Sequence, residues 1–173
     1  MATYTQFKLE IPYFISTFEQ HKKIKPQLME ILSRQKYLSS HNPVESVGQS
    51  DWYVDPGTPR EYWEFLYPMI DDHMKPIYNQ VGYDVYQYVN YWTNKYSYND
   101  KLNWHTHRGS NWASVYFVDM PNKKQSTLIK TIQGNIIQPE VEEGMILTIP
   151  SNIQHCSPAS DNSVKTIIAF NIW

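Results

Sequence analysis

The sequence predicts an α+β fold dominated by β-strands, because helical periodicity is confined to its first half and short strand-like runs fill its second half. Apolar residues recur at helical spacing from Phe18 to Leu32 and again from Arg60 to about Asn79. After Gly82, short apolar runs are separated by turn-forming pairs such as Gly134-Asn135. Aromatic residues make up 15% of the chain and charged residues only 18%, a mixture that favours the half-buried surface of a sheet.

The strand-like runs are short and separated by turns, which is typical of a sandwich or jelly roll. We expect one domain over residues 1–173, with a mainly helical and loop part over 1–82, a jelly-roll core over 83–173, and the helices packed on one sheet. Ser39–Pro59 is a polar loop in which a lid or specificity segment could lie. The predicted strands are Phe7–Ile15, Val85–Tyr91, Trp112–Val118, Thr127–Ile132, Ile136–Val141, Met145–Ile149 and Lys165–Ile172.

The composition excludes several classes of protein. With 15 basic and 17 acidic residues and a formal net charge of -2, the chain offers no basic face for nucleic acid. No apolar run approaches the roughly 18 residues that a membrane span needs. The single cysteine, Cys156, rules out an internal disulfide, and the N-terminus lacks the order of a secretory signal. We therefore expect a cytoplasmic protein.

Three of the six histidines form a pattern that suits a metal ion. His105 and His107 are separated by one residue, so in an extended segment both imidazoles leave the same face. His155 follows much later, and the Greek-key threading of a jelly roll would return it to the early pair. A histidine pair with this spacing is common by chance, so the prediction of a metal site depends on the third histidine. The others, His21, His41 and His73, are expected at the surface.

Two signatures run through the second half of the chain. The first is Trp92 and Asn94, then His105, His107 and Ser110, then Ala113-Ser114, Tyr116, Val118 and Pro121; the second is Pro139, Gly144, Pro150-Ser151, His155, Pro158 and Lys165 to Phe170-Asn171. In this order and spacing, the sequence resembles the double-stranded β-helix, cupin-like dioxygenases that depend on 2-oxoglutarate and Fe(II). It is most similar to the small oxygenases of bacteria and bacteriophages. The resemblance covers about half of the chain and is compatible with a phage origin and expression in a bacterial host.

The resemblance implies an oxidoreductase that binds Fe(II) through His105, His107 and His155 and consumes 2-oxoglutarate to hydroxylate a substrate. The residues that it places near 2-oxoglutarate are Lys165, Tyr116 and Asn94, each with a purely structural role as the alternative. The residues expected to shape the substrate mouth are Trp104, Trp112 and Tyr98, with core packing as the equal alternative. Cys156, beside a metal ligand, is either a reactive thiol or a small buried core residue.

The chain departs from the family at two positions. His107 stands where most members carry a carboxylate ligand, so the ion keeps its full charge, and zinc or nickel would also suit the site. Asp100 or Asp119 is a weaker candidate for an extra ligand. Lys165 stands where an arginine usually grips the far carboxylate of 2-oxoglutarate, and it supplies the charge without the planar two-pronged contact. On an alternating strand Lys165 points into the barrel with Asn171; the alternative is that it reaches solvent.

Two other functions stay open on the sequence alone. One is a cupin-like three-histidine metalloenzyme that does not use 2-oxoglutarate and grips a substrate carboxylate with Lys165. The other is a non-catalytic jelly-roll binding protein or virion accessory that keeps the fold. The substrate, a small molecule or a peptidyl group, is not identified by any motif, and an oligomer is compatible with the sequence.

Overall fold

A computed structural model describes residues 11–39, 47–55 and 57–173. These residues form two α-helices, eleven β-strands and a short 3-10 turn at Lys123–Gln125. The helices are α1, His21–Arg34, and α2, Glu61–Gln80. The strands are β1 Phe14–Thr17, β2 Leu38–Ser39, β3 Gln49–Ser50, β4 Tyr88–Tyr96, β5 Leu102–His105, β6 Trp112–Asp119, β7 Leu128–Lys130, β8 Ile136–Ile137, β9 Met145–Pro150, β10 His155–Ser157 and β11 Lys165–Ile172.

The strands form two antiparallel sheets. The larger has seven strands in the order β1-β9-β6-β11-β4-β3-β2, and the smaller has four in the order β5-β10-β7-β8. Several neighbouring pairs, such as β1 with β9 and β5 with β10, are far apart in sequence, as the threading of a jelly roll requires, whereas β2-β3-β4 and β7-β8 are consecutive. Apolar side chains from both sheets meet between them, including Trp92, Phe117 and Ile129. The predicted β-dominated α+β fold is therefore confirmed.

The two helices cover the outer face of the larger sheet. Leu28 of α1 and Leu66 and Ile70 of α2 are fully buried and pack with Ile146 and Phe170 of that sheet. Such burial contributes about 1.5–3 kcal/mol for each large apolar side chain. The prediction that the N-terminal helices pack on one sheet is confirmed, and α2 begins and ends within one residue of the predicted Arg60–Asn79.

Most differences from the predicted elements concern chain ends and short strands. Residues 7–10 of the first predicted strand lie outside the described residues, and the observed strand is β1. The helical pattern starts at Phe18, but Ser16 and Thr17 pair with β9 and α1 begins only at His21. No strand was predicted at β2, β3, β5 or β10, because two to four residues are too few to show an alternating pattern.

Of the helices in the described part of the chain, none combines the length and the apolar character that crossing a lipid bilayer requires.

Candidate metal centre

The smaller sheet brings the three predicted histidines together. His105 at the end of β5 lies directly opposite His155 at the start of β10 in the antiparallel register. His107 follows β5 in a loop, where its backbone N–H donates to the Ser151 carbonyl over 2.9 Å. One ligand atom from each histidine lies within 4.8 Å of the other two. The ring centroids of His105 and His155 are 4.3 Å apart, and those of His107 and His155 are 5.0 Å apart.

Backbone carbonyls orient two of the three rings. The Nδ1 atom of His105 donates to the Asn103 carbonyl over 2.8 Å, and that of His155 donates to the Ile153 carbonyl over 2.9 Å. A carbonyl oxygen only accepts, so in both rings the proton lies on Nδ1 and the lone pair lies on Nε2. Metal-binding histidines commonly use this arrangement, because the carbonyl fixes the tautomer and the ring orientation.

His107 lies between an aromatic ring and a buried amide. Its ring centroid is 5.5 Å from that of Trp92, and its Nδ1 atom is 3.2 Å from Nδ2 of Asn171. Burial, followed by the neighbouring histidines, lowers the pKa of His107 to about 3. Burial and His105 likewise lower the pKa of His155 to about 4. Both rings are therefore neutral near pH 7, which is the form that binds a metal ion.

Lys165 points into the space between the sheets. On β11, Lys165, Ile167 and Asn171 line the inner cavity, while Ile168 and Phe170 pack against the helices. The Lys165 side chain is only 2% exposed, so the alternative that it reaches solvent is wrong.

The ammonium group of Lys165 has neutral partners. Nζ donates to the Gln125 carbonyl over 2.7 Å and to Ser157 Oγ over 2.6 Å, and it lies 4.4 Å from the centre of the Tyr96 ring. It forms no ion pair with a carboxylate of the described residues. Burial lowers its pKa to about 7. An anionic ligand would supply the missing countercharge.

The inner cavity connects Lys165 to the histidines. Asn94 also lines it; this side chain donates to Tyr96 Oη over 3.0 Å, and its Oδ1 atom is buried without a partner among the described residues. The cavity has a volume of about 30 Å³, which is room for about two waters. Tyr96, Ser157 and Asn171 line this cavity and were not among the predicted site residues. Nothing in the local sequence distinguishes Tyr96 and Ser157 from core residues, whereas the place of Asn171 in the second signature and on the face of Lys165 was a usable signal.

A second, open cleft reaches the histidines from outside. It has a volume of about 220 Å³ and meets the inner cavity at His105 and His107. Its outer wall includes Trp52 and Tyr53, which are 48% and 46% exposed. Trp52 lies edge-on to Trp92, with ring centroids 4.8 Å apart. Both residues belong to the predicted Ser39–Pro59 loop, where an adjacent aromatic pair in a polar stretch was a usable signal that the prediction missed.

The aromatic pair is held by a buried carboxylate. Asp51 is fully buried, and its Oδ1 atom accepts from the Thr93 backbone N–H over 2.7 Å. Its Oδ2 atom accepts from Arg60 Nε over 2.9 Å and from Tyr62 Oη over 2.8 Å. This network joins the loop to β4 and to the start of α2, and so holds the outer wall beside the histidines.

Two predicted site residues lie on the wrong side of the larger sheet. Tyr116 packs with the helices, and its hydroxyl lies 2.7 Å from Nδ1 of His21. Trp112 packs with Phe14, with ring centroids 5.7 Å apart. Both faces of β6 are buried, and it is Ala113 and the residues alternating with it that face the inner cavity. The predicted roles of Tyr116 at the cofactor and Trp112 at the substrate mouth are therefore wrong.

Other predicted candidates also lie away from the site. Trp104 precedes His105 on the strand and is 37% exposed, and Tyr98 is a surface residue; neither lines the cavity or the cleft. Asp119 pairs with Lys25 over 2.7 Å, and neither it nor Asp100 joins the histidine cluster.

The remaining single-residue predictions have mixed outcomes. His21 is buried rather than at the surface, because it bonds to Tyr116, while His73 is partly buried beside Ser16. His41 lies outside the described residues. Cys156 is buried, and burial raises the pKa of its thiol.

Changing Tyr116 to Phe tests whether Tyr116 stabilises the fold and takes no part in the metal site. Loss of the hydroxyl leaves the buried His21 Nδ1 without its partner, so the free energy of unfolding should fall by about 1–3 kcal/mol in urea titrations. Affinity for Co(II), measured by optical titration, should not change, and the exposed control Tyr98→Phe should change neither quantity. A loss of metal affinity at unchanged stability would return Tyr116 to the site.

Neither a protein-family model nor a curated protein sequence matches this chain. Solved structures are similar to it at low sequence identity. One is a prolyl-4-hydroxylase from Pseudomonas putida, with a TM-score of 0.67 and 13% identity, covering 94% of this chain and 92% of that one. Another is the viral collagen prolyl hydroxylase of Paramecium Bursaria Chlorella virus-1 in complex with 2-oxoglutarate, with a TM-score of 0.60 and 10% identity over 92% and 94% of the two chains.

A third similar structure is HygX from Streptomyces hygroscopicus with nickel, 2-oxoglutarate and hygromycin B bound. Its TM-score is 0.73 at 9% identity, and the match covers 94% of this chain and 82% of HygX. Identities this low compare folds rather than activities. The fold of these structures agrees with the family resemblance that the sequence motifs around the histidines and Lys165 indicated. The chain therefore has the double-stranded β-helix fold of the 2-oxoglutarate and Fe(II) oxygenases.

Proposed function

We propose that this protein is a 2-oxoglutarate-dependent oxygenase that holds Fe(II) on His105, His107 and His155. The observation that carries the proposal is the position of the three imidazoles. They lie where the inner cavity, which contains a buried cation with no countercharge among the described residues, meets the aromatic cleft. A site that joins an anion-binding cavity to a substrate cleft through a metal suits an enzyme with two small reactants.

The donor set fits a first-row transition metal. Three neutral imidazole nitrogens suit iron, nickel, copper and zinc. Two of the rings are already oriented by backbone carbonyls, so little ordering remains when an ion binds. Three protein ligands leave positions open for other molecules on the ion.

The charge of the inner cavity suits 2-oxoglutarate, but the cavity must enlarge to hold it. The ammonium group of Lys165 can pair with the far carboxylate, and Tyr96 and Ser157 lie beside it as hydrogen-bonding groups. The cavity volume of about 30 Å³ is too small for a five-carbon diacid. Binding must therefore shift side chains that line the cavity.

The protein's own residues would then position and isolate the reactants. When bound, the metal and 2-oxoglutarate supply the activation of dioxygen, with release of succinate and carbon dioxide. Lys165 anchors the acid by charge, and the buried walls of the inner cavity exclude water. Trp52 and Tyr53 hold the substrate on the opposite side of the histidines, where the cleft opens.

The substrate enters through the cleft, which limits its chemistry. Among the described residues that line the cleft there is no Asp, Glu, Lys or Arg, so we expect the group that approaches the metal to be uncharged. Similar structures include a Trichoplax adhaerens prolyl hydroxylase with a peptide fragment and HygX with hygromycin B. These support either a peptidyl or a small-molecule substrate.

An anaerobic titration tests the proposal. The protein is loaded with Fe(II), and its melting temperature is measured with 2-oxoglutarate and with glutarate, which lacks the oxo group. We expect one iron per chain, a larger stabilisation by 2-oxoglutarate than by glutarate, and succinate formation after oxygen is admitted. Iron binding without a 2-oxoglutarate response would favour the cupin-like three-histidine enzyme. Absence of metal binding would favour the non-catalytic binding protein.

A further inference from the structure

Asn171 contacts His107, the histidine of the cluster whose ring has no backbone-carbonyl partner among the described residues. It lies on β11 opposite Ala113, is 2% exposed and lines the inner cavity. Its Nδ2 atom lies 3.2 Å from Nδ1 of His107. Its Oδ1 atom is buried and has no hydrogen-bond partner among the described residues. A buried amide with one bonded and one unbonded end is unusual, because buried polar atoms are almost always paired.

This contact determines which nitrogen of His107 carries the proton. An amide N–H can only donate, so Nδ1 of His107 accepts and the ring proton lies on Nε2. That Nε2 atom is 3.1 Å from Nε2 of His155, whose own proton lies on Nδ1. The two rings therefore share an N–H···N hydrogen bond. In this arrangement the lone pair of His107 faces away from His155, so the three histidines do not yet present three lone pairs to one point.

A half-turn of the Asn171 amide reverses this arrangement. Oδ1 then faces Nδ1 of His107 and accepts its hydrogen bond, while Nδ2 takes the position that Oδ1 had occupied. The ring keeps one proton in total, now on Nδ1 instead of Nε2, and the freed Nε2 lone pair faces His155. His107 then matches His105 and His155, whose Nδ1 atoms donate to the Asn103 and Ile153 carbonyls.

We propose that Asn171 is the positioning residue that sets the tautomer of His107, and that its amide turns over when a metal ion binds. This rests on the proposed metal site. Asparagine suits the role because its amide offers a donor and an acceptor from nearly the same position. A leucine of similar size would offer neither, and an aspartate would offer acceptors only.

Metal affinity measures the first part of the proposal. Co(II) is titrated in competition with a chromogenic chelator for the wild type, Asn171→Leu and Asn171→Asp. Loss of the hydrogen bond between residue 171 and His107 should weaken Co(II) binding by about 10- to 100-fold in the leucine variant. The aspartate variant should retain at least wild-type affinity, because its oxygen accepts from Nδ1. The control Ile168→Val changes a buried side chain on the opposite face of β11, which packs against the helices, and should leave affinity unchanged.

The tautomer of His107 measures the second part directly. In protein labelled with ¹⁵N-histidine, NMR of the metal-free wild type should place the His107 proton on Nε2. Saturation with Zn(II) should move it to Nδ1, and Asn171→Asp should hold it on Nδ1 without metal. Wild-type affinity in the leucine variant, or a proton already on Nδ1 in the metal-free wild type, would overturn the inference. A wild type that binds no metal would instead overturn the proposed function, and the metal-free spectrum would still report the tautomer.

Discussion

Changing His155 to Ala is expected to abolish stoichiometric metal binding and every response that depends on it. His155 is buried, lies opposite His105 in the register and is 3.1 Å from His107, so no other described side chain can replace its nitrogen. Removing a residue that only hydrogen-bonds to a metal ligand already lowers metal affinity by about 10- to 100-fold. Loss of the ligand itself should therefore exceed about 100-fold, measured by Co(II) titration and by iron content after anaerobic loading.

The control for this experiment is His73→Ala, which removes a histidine that lies outside the cluster and bonds to Ser16. Its metal affinity should equal that of the wild type. Circular dichroism and urea unfolding should show that the His155→Ala chain is folded, because the sheet that carries it is held by backbone pairing with β5 and β7. A folded His155→Ala protein that still binds one iron per chain would contradict the assignment of the metal centre.

Changing Lys165 to Met is expected to remove the response to 2-oxoglutarate while leaving metal binding intact. The ammonium group is the buried cation of the inner cavity, and it forms no contact with the histidines. Leaving a buried carboxylate without its partner typically costs 3–5 kcal/mol, so the affinity for 2-oxoglutarate should fall by about 100-fold or more. Anaerobic calorimetry of the iron-loaded protein measures this change. Unchanged affinity for the acid would place its carboxylate elsewhere.

The same variant should also remove a pH dependence of stability. Burial lowers the pKa of Lys165 from 10.5 to about 7. Between these values the folded protein has lost this proton and the unfolded chain has kept it, so the free energy of unfolding rises with pH. The rise attributable to Lys165 is at most about 5 kcal/mol. Urea titrations at several pH values should show this slope in the wild type and in the exposed control Lys124→Met, and should show it reduced in Lys165→Met.

The comparison of β11 with β6 shows what strand alternation can and cannot predict. In both strands the pattern of period two correctly groups the residues that share a face. The prediction placed Lys165 in the barrel correctly, because a single charged residue on an otherwise apolar strand indicates the face that meets polar groups or a ligand. β6 has polar and aromatic residues on both faces, so its sequence does not show which face meets the helices, and Tyr116 and Trp112 were placed on the wrong side.

The order of helices and strands, the three histidines and the inward-facing lysine could be predicted from the sequence, because they follow from patterns of residue type along the chain. The contacts between distant segments could not be predicted in this way. The contact of Asn171 with His107 and the position of Trp52 beside Trp92 in the cleft both bring together residues that are distant in sequence. Such contacts depend on how sheets and loops pack in space, and no short segment of the sequence records that packing.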